Sequence, residues 1–477
     1  MKINPFIFRN YDIRGIVGQD LDAAKVECIA KAYGTFLHRR KIHQAVVGRD
    51  CRLSGAEFQA AFIKGLISTG VDVIDLGVIM TQMMYYGQYR FQTNGGVMIT
   101  ASHNPWNFNG FKLGIGYSQT TGPEEVREIR EFVESEKYFI APEQGKVEKK
   151  DITEDYYNDV LKRIRLKRKY KVVLDSRHGT TALYMPEILK RAGCEVVGRN
   201  LVVDGFFPAG TPDPTDEKFM RSLGEIVKQE GADFGLAMDG DGDRIGIVDE
   251  KGRILWNDVL VAIFAKEILE RFPNSKIVYN TLCSQVVREV VLSNNGLPII
   301  WRTGHSFIKS KIANEGAAFG GELSGHFFFA DNAYGHDDGS YAALRVLEYL
   351  SDKNLTLSQL YESFPTFISS PEIKIGCPDD KKAAVIQNLA ERFKKDFPKA
   401  QITDDTIIPG DDGTRADFND GMMVFRYSQN GPYITVKFEA KDQNTYDQRK
   451  KYVKAMLDSY PEMIWKDQLC VNLESLD

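Results

Sequence analysis

Apolar positions along the chain switch repeatedly between a helical and a strand period. Val26, Ile29, Ala30, Tyr33 and Leu37 recur at helical spacing, and the run Ala45-Val46-Val47-Gly48 then reads as a short buried strand. A second helix is expected from about 54 to 69, followed by strands at 71–76 and 97–100. The same grammar restarts at Lys171 with Val172-Val173-Leu174-Asp175, a helix through Ile188 and Leu189, and a strand at 234–238. It restarts again with a helix at 258–272, a strand at 277–279, a helix at 285–292 and a strand at 299–301. Such alternation of short apolar strands with helices is the mark of α/β layers. Three rounds suggest a structural repeat, although no sequence motif is shared between them.

The last stretch, from about 368, differs. Thr435-Val436-Lys437-Phe438-Glu439 alternates apolar and polar residues, as a half-buried strand does, and Phe418-Asn419-Asp420-Gly421-Met422 carries a hairpin signal. This region is expected to be α+β and partly antiparallel. With 477 residues and a prior of about 150 residues per domain, the three α/β rounds and the smaller C-terminal unit fit the length.

Composition narrows the function classes. Hydrophobic residues make up 43% and charged residues 27%, which supports several soluble cores and argues against disorder. The formal charge of −5 lacks the basic excess of a nucleic-acid partner, so an anionic substrate must be held by local cations. The lysine-rich stretch at 162–171 is read as a solvated face at a domain boundary. No signal peptide or apolar run of about 18 residues is found, and the six scattered cysteines form no C-x-x-C pair. These features point to a cytoplasmic protein with reduced thiols.

Four loops carry candidate chemistry. Thr100-Ala101-Ser102-His103-Asn104-Pro105 follows a strand, so Ser102 is presented at the carboxyl end of a strand, where open α/β sheets place ligands. By itself a serine such as Ser102 is more often a turn residue bonded to its own backbone. A Ser–His triad is conceivable, but there is no G-x-S-x-G elbow. Downstream Lys112 adds a cation able to neutralise a phosphorylated serine. The second loop, Asp239-Gly240-Asp241-Gly242-Asp243-Arg244, sets three carboxylates at spacing two, which repel one another unless a cation intervenes. Asp239, Asp241, Asp243 and Glu250 fall at EF-hand positions, but Arg244 stands where that loop needs glycine and the flanks are strand-like. A divalent metal on a loop between strands, with Arg244 beside it for an anion, accounts for the motif. Mg²⁺ prefers a few carboxylates plus phosphate oxygens.

The third loop is Gly320-Gly321-Glu322-Leu323-Ser324-Gly325-His326, in which Glu322 and Ser324 projecting from an extended segment would reach vicinal hydroxyls. A glycine-rich turn with a capping serine explains it equally well. His103, His305 and His326, three of the seven histidines, all fall in these loops or beside them. The fourth loop, Arg426-Tyr427-Ser428-Gln429-Asn430-Gly431-Pro432, offers an arginine, a hydroxyl and amides for a phosphate, or is simply a turn with a charge.

Taken in this order and at these separations, the loops resemble the α-D-phosphohexomutase family, in its phosphomannomutase/phosphoglucomutase branch. Tyr11-Asp12-Ile13-Arg14-Gly15 and Gly48-Arg49-Asp50-Cys51-Arg52-Leu53-Ser54 extend the resemblance to nearly the whole chain. It implies three mixed α/β domains plus a smaller C-terminal α+β domain around a central active-site cleft, divided at 1–148 (phosphoserine), 149–250 (metal), 251–367 (sugar) and 368–477 (phosphate). It implies phospho-Ser102, with Asp239, Asp241 and Asp243 holding Mg²⁺ together with Ser102, and a hexose 1,6-bisphosphate as activator. Arg14, Lys112, Arg244, His305 and His326 match positions near the transferring groups. Glu322 and Ser324 match sugar contacts, and Arg426, Ser428 and Asn430 the distal phosphate contacts. Lys112 and His326 are both candidates for the base. The implied activity interconverts hexose 1-phosphate and hexose 6-phosphate, of mannose or glucose, in a monomer or homodimer without nucleic-acid or membrane partners. Alternatives are a phosphoglucosamine mutase, disfavoured by Leu323, and a non-catalytic sugar-phosphate-binding paralogue. The last motif departs from the family pattern R-x-S-[GN]-T-x-P at Gln429-Asn430.

Overall fold

The computed structural model describes residues 3–429 and 431–477. Its chain forms two compact units. One comprises Met1–Asp213, Leu236–Ile245 and His336–Glu348, and the other Pro214–Gly235, Gly246–Gly335 and Tyr349–Asp477.

In the first unit, β1 (Asp12–Ile16), β2 (Gln44–Arg49), β3 (Asp72–Val78), β4 (Gly95–Ile99), β5 (Phe108–Gly116), β6 (Gln119–Thr120) and β7 (Val147–Lys149) form one sheet. Its order is β1-β5-β4-β2-β3-β7, with β6 on β5. Strands β4, β2, β3 and β7 run parallel, whereas β5 is antiparallel to both β1 and β4. The helix Ala23–Arg39 starts where the Asp22 carboxylate caps the Lys25 N–H. Its apolar stripe of Val26, Ile29, Tyr33 and Phe36 shares a core with Phe58, Phe62 and Leu66 of the helix Gly55–Ser68 and with Val97, Ile99, Phe111 and Leu113 of the sheet. Each such side chain contributes about 1.5–3 kcal/mol on burial. The helix Thr81–Phe91 has no apolar stripe, because Thr81 to Gln88 are all buried. Further along the same unit, β8 (Lys171–Asp175) and β9 (Glu195–Arg199) pair in parallel, and β10 (Phe234–Met238) leads into the acidic loop.

The second unit holds the antiparallel pair β11 (Ile245–Asp249) and β12 (Ile254–Leu255). It also holds a sheet of β13 (Lys276–Asn280), β14 (Leu297–Trp301), β15 (Phe319–Gly321) and β16 (Phe327–Phe329) in order β14-β13-β15-β16. Only β16 is antiparallel there. The C-terminal strands β17 (Ile368–Ser369), β18 (Ile373–Gly376), β19 (Gln401–Thr403), β20 (Gly413–Phe418), β21 (Gly421–Tyr427) and β22 (Tyr433–Ala440) form a wholly antiparallel sheet. It shares a core with the helices Lys382–Asp396 and Gln443–Asp458. The hairpin between β20 and β21 turns on Asn419-Asp420, with Phe418 opposite Gly421. Gly421 begins the second strand at φ 140°, where a Cβ would come within 2.3 Å of the Glu439 carbonyl oxygen.

Buried charge ties the C-terminal sheet to the segments flanking β13. Lys437 Nζ lies 2.7 Å from Asp258, with both side chains buried. Arg415 donates to the carbonyls of Thr281 and Cys283 at 2.7 and 2.5 Å, while Glu439 accepts the Gln285 N–H at 2.9 Å. All six cysteines are free. No helix among the described residues is long and apolar enough to cross a membrane.

Strands β4 and β5 present the first site loop and Lys112, and one phenol fixes both. The Tyr33 hydroxyl lies against the Gly114 carbonyl, 3.0 Å from the Gly96 carbonyl, and accepts the Gly96 N–H at 3.1 Å. Tyr33→Phe leaves these buried groups unmatched and should cost about 1–3 kcal/mol. A urea titration reads this as a lower unfolding midpoint; an unchanged midpoint contradicts it.

Candidate active site

The loop after β4 is wrapped around one arginine. Asp50, at the end of β2, accepts the Thr100 hydroxyl at 2.7 Å and the Arg52 Nε at 3.1 Å. The wholly buried Arg52 guanidinium then donates to the carbonyls of Ser102, Asn104 and Pro105, each at 2.7 Å, and of Phe108 at 3.0 Å. Arg14, paired with Asp12 at 2.8 Å, reaches Asn104 Oδ1 at 3.1 Å and the Ala101 carbonyl at 3.3 Å. With its carbonyls drawn onto these cations, the loop holds Ser102 at φ 51°. For a non-glycine residue this left-handed conformation costs on the order of 1–3 kcal/mol and collects at functional sites. The Ser102 hydroxyl donates to Asp239 Oδ2 at 2.6 Å and lies 3.2 Å from His103 Nδ1.

The acidic loop comes close because of its glycines. A Cβ on Gly240 would sit 2.7 Å from the Ser102 carbonyl oxygen. Asp239 Oδ1 accepts the N–H groups of Gly242 and Arg244 at 3.0 and 3.2 Å, which folds the loop back on itself. Thr81, first residue of its helix, ties the loop down through its hydroxyl to Asp241 Oδ2 at 2.6 Å and its N–H to the Asp241 carbonyl at 2.9 Å. Lys112 projects from β5 onto Asp241 Oδ2 at 2.8 Å and onto Asp243. Arg244 Nε stands 3.8 Å from Asp239 and 4.0 Å from Asp243.

The electrostatics follow from taking these groups out of water. Burial opposes the Lys112 charge, but Asp241, Asp243, Asp337 and Asp12 outweigh it and raise its pKa above the lysine range. Burial likewise opposes the Asp241 charge, yet Lys112 and Thr81 hold its pKa below the usual carboxylate range. Asp239 goes the other way: burial first, then repulsion from Asp241 and Asp243, pushes it well above that range. A divalent cation fits this donor set. Asp239, Asp241 and Asp243 offer oxygens within 4.8 Å of one another, and Asp241 Oδ1 is buried with no hydrogen-bond partner.

The two remaining loops belong to the second unit. Glu322 to Gly325 form a tight turn between β15 and β16, closed by the Gly325 N–H on the Glu322 carbonyl at 3.0 Å. This corrects the expectation of an extended segment. The Glu322 carboxylate accepts the Gly304 N–H at 2.7 Å, and the Leu323 N–H reaches Asn280 Oδ1 at 3.2 Å, so the turn is bent back onto its neighbours. Ser324 remains partly exposed on it. His305 opens the helix His305–Glu315, and its ring lies 5.7 Å from that of His326. In the fourth loop, Asp412 takes Arg426 at 2.9 and 2.6 Å and Gln429 Nε2 at 2.8 Å. Lys382 Nζ donates to the Ser428 carbonyl at 2.6 Å, the Gly431 carbonyl at 3.1 Å and Asp379 at 2.5 Å. Asn430 lies outside the described residues.

Family models for phosphoglucomutase/phosphomannomutase alpha/beta/alpha domains I, II and III match residues 5–139, 154–252 and 256–367. The chain belongs to this family. It is 38% identical over 434 residues to the phosphomannomutase/phosphoglucomutase of Pseudomonas putida, covering 91% of each chain. It is 35% identical over 460 residues to a phosphoglucomutase of Neisseria meningitidis, covering 96% of this chain and 98% of that one. The crystal structure of a phosphoglucomutase/phosphomannomutase family protein from Burkholderia thailandensis superposes with a TM-score of 0.85 at 31% identity, covering 97% of this chain and 99% of that chain.

Within this family member, the first unit brings Arg14, Ser102, Lys112, Asp239, Asp241, Asp243 and Arg244 together. Glu322, His305 and His326 meet in the second unit, and Arg426 and Ser428 share the loop that Asp412 and Lys382 hold. Sequence reasoning gave no role to Arg52, Thr81, Asp412 or Lys382. The adjacent acids Asp411-Asp412, before the β20 strand, were the available signal for one of them.

Asp411 supplies a test of this loop. Burial, then Asp412, pushes its carboxyl up to about 8, and its Oδ2 has no hydrogen-bond partner. Between the ordinary value of 3.8 and about 8, the folded chain keeps a proton that the unfolded chain has lost. Stability therefore falls as pH rises through that window, by at most about 1.4 kcal/mol per pH unit. Asp411→Asn should raise Tm more at pH 8 than at pH 5, read by thermal unfolding; equal shifts at both pH values contradict the assignment.

Proposed function

We propose that the chain is a phosphomannomutase/phosphoglucomutase that interconverts hexose 1-phosphate and hexose 6-phosphate through a phosphoserine at Ser102 and a hexose 1,6-bisphosphate intermediate. One observation carries the reading: a strained serine hydroxyl sits 2.6 Å from Asp239, within a cluster of three carboxylates fitted for a divalent cation. The names of the relatives support it, and Leu323 argues against the amino-sugar branch.

Phospho-Ser102 gives its phosphoryl group to the free hydroxyl of a hexose monophosphate. The serine O–P bond breaks, the sugar O–P bond forms, and the hydroxyl proton passes to a base. The bisphosphate turns over and its other phosphate returns to Ser102. Mg²⁺ held by Asp239, Asp241, Asp243 and phospho-Ser102 would supply charge neutralisation at the transferring group. Such transfer demands positioning and electrostatics more than covalent work by the protein. Lys112 places a cation against Asp241 and Asp243, and Lys112 and His326 are the two candidate bases for the sugar hydroxyl. Arg14 and Arg244 steady the serine and acidic loops, with His305 beside His326. Glu322 and Ser324 take sugar hydroxyls, and Arg426, Ser428 and Asn430 take the phosphate that is not reacting. Asp412 holds Arg426 ready, and Lys382 fixes the loop through the Ser428 and Gly431 carbonyls. The functional division runs 1–148, 149–250, 251–367 and 368–477. The enzyme works in the cytoplasm on small hexose phosphates, with the bisphosphate as activator, as a monomer or homodimer without nucleic-acid or membrane partners.

Peptide mass spectrometry of active enzyme should find phosphate on Ser102, an isotopic label in that phosphate should pass to the hexose phosphates on addition of glucose 1-phosphate, and Ser102→Ala should lower turnover by several orders of magnitude. Turnover by protein in which Ser102 never carries phosphate would sink the mechanism.

A further inference from the structure

A cavity of about 770 Å³ opens in the second unit where β13 and β14 face the β19–β20 edge of the C-terminal sheet. Nothing in the proposed reaction uses it. Its size lies in the range of small-molecule sites, which are concave and largely apolar with a few placed polar groups.

The wall has an aromatic part. Tyr279 is buried there, and Phe397 and Phe418 meet edge to face, with centroids 5.2 Å apart and planes at 84°. Its lining carries three cations, Arg288, Lys399 and Arg415, and three carboxylates, Glu289, Asp396 and Asp417. Each carboxylate on the wall already has a cation: Asp417 is held by Arg415 at 2.7 Å, Glu289 by Lys441 at 3.1 Å, and Asp396 by Arg392 at 3.5 Å. Asp396 also accepts the Tyr452 hydroxyl at 2.8 Å, and Asp417 the Gln285 amide at 3.0 Å. Arg288 and Lys399, also on the wall, are exposed and make no hydrogen bond or ion pair among the described residues. Two cations without a hydrogen bond or ion pair among the described residues thus stand beside an aromatic surface.

We propose that this cavity is a second ligand site, for an aromatic organic phosphate of nucleotide size. A planar ring matches the Tyr279, Phe397 and Phe418 surface, which a hydroxyl-covered hexose would not desolvate. A phosphate dianion matches Arg288 and Lys399, and the fork of Arg288 binds phosphate oxygens in pairs. The site also connects to the sugar loop of the same unit. Arg415 in its wall holds the Thr281 carbonyl, one residue from the Asn280 side chain that accepts the Leu323 N–H of the sugar loop.

The test is isothermal titration of the full chain with AMP, adenosine and inorganic phosphate, each in the presence of saturating glucose 1-phosphate. AMP should bind once per chain, at least tenfold tighter than either adenosine or phosphate. Arg288→Glu combined with Lys399→Glu should weaken AMP at least tenfold while turnover stays unchanged, since neither residue belongs to the machinery proposed above. Phe418→Ala should weaken AMP and leave phosphate alone. No AMP binding at millimolar concentration, binding unaffected by the charge reversals, or phosphate binding as tightly as AMP would each overturn the proposal. Failure here leaves the phosphoserine mechanism untouched, because Ser102 is read separately.

Discussion

The first unit is organised by a cluster of buried carboxylates. Asp12, Asp239, Asp241, Asp243 and Asp337 are all buried, and Lys112, Arg14 and Arg244 are among the cations that face them. Carboxylates crowded this closely in a low-dielectric interior repel one another strongly. One answer is to keep a proton, and Asp239 is pushed that way. The other is to bring in positive charge, which a divalent cation does without altering the fold.

The surrounding structure serves that cluster. Arg52 spends its donors on loop carbonyls, which fixes Ser102 in a conformation it would not choose and aims its hydroxyl at Asp239. Gly240 lets the acidic loop touch the serine loop, and Thr81 holds Asp241 from a neighbouring helix. Tyr33 keeps β4 and β5 together, and with them the serine loop and Lys112. A static site of this kind stores its strain in the resting chain, so little rearrangement is demanded of it during transfer.

Much of the architecture was legible because it rests on local periods. The helix at 23–39 and the strands at 44–49 and 171–175 fall where apolar spacing placed them, and the hairpin turns on Asn419-Asp420, one residue ahead of the Asp420-Gly421 pair that signalled it. The helix Thr81–Phe91 escaped because it is buried all round and so carries no amphipathic stripe. The β1–β5 pairing, between residues about a hundred positions apart, leaves no local trace. In the candidate site, residues announced by unusual spacing come together, as Asp239, Asp241 and Asp243 show. Residues that act through backbone carbonyls were not legible, because Arg52 and Lys382 look like ordinary charges until the loop folds around them. Glu322 and Ser324 illustrate the middle case: the glycines around them allowed either an extended segment or a turn, and the Glu322–Gly304 bond decides for the turn.

Equilibrium dialysis against Mg²⁺ tests the charge argument most directly. The full chain should hold one ion, bind it more tightly when Ser102 is phosphorylated, and lose it in Asp241→Asn. No bound ion, or one that Asp241→Asn retains at wild-type affinity, would contradict the account.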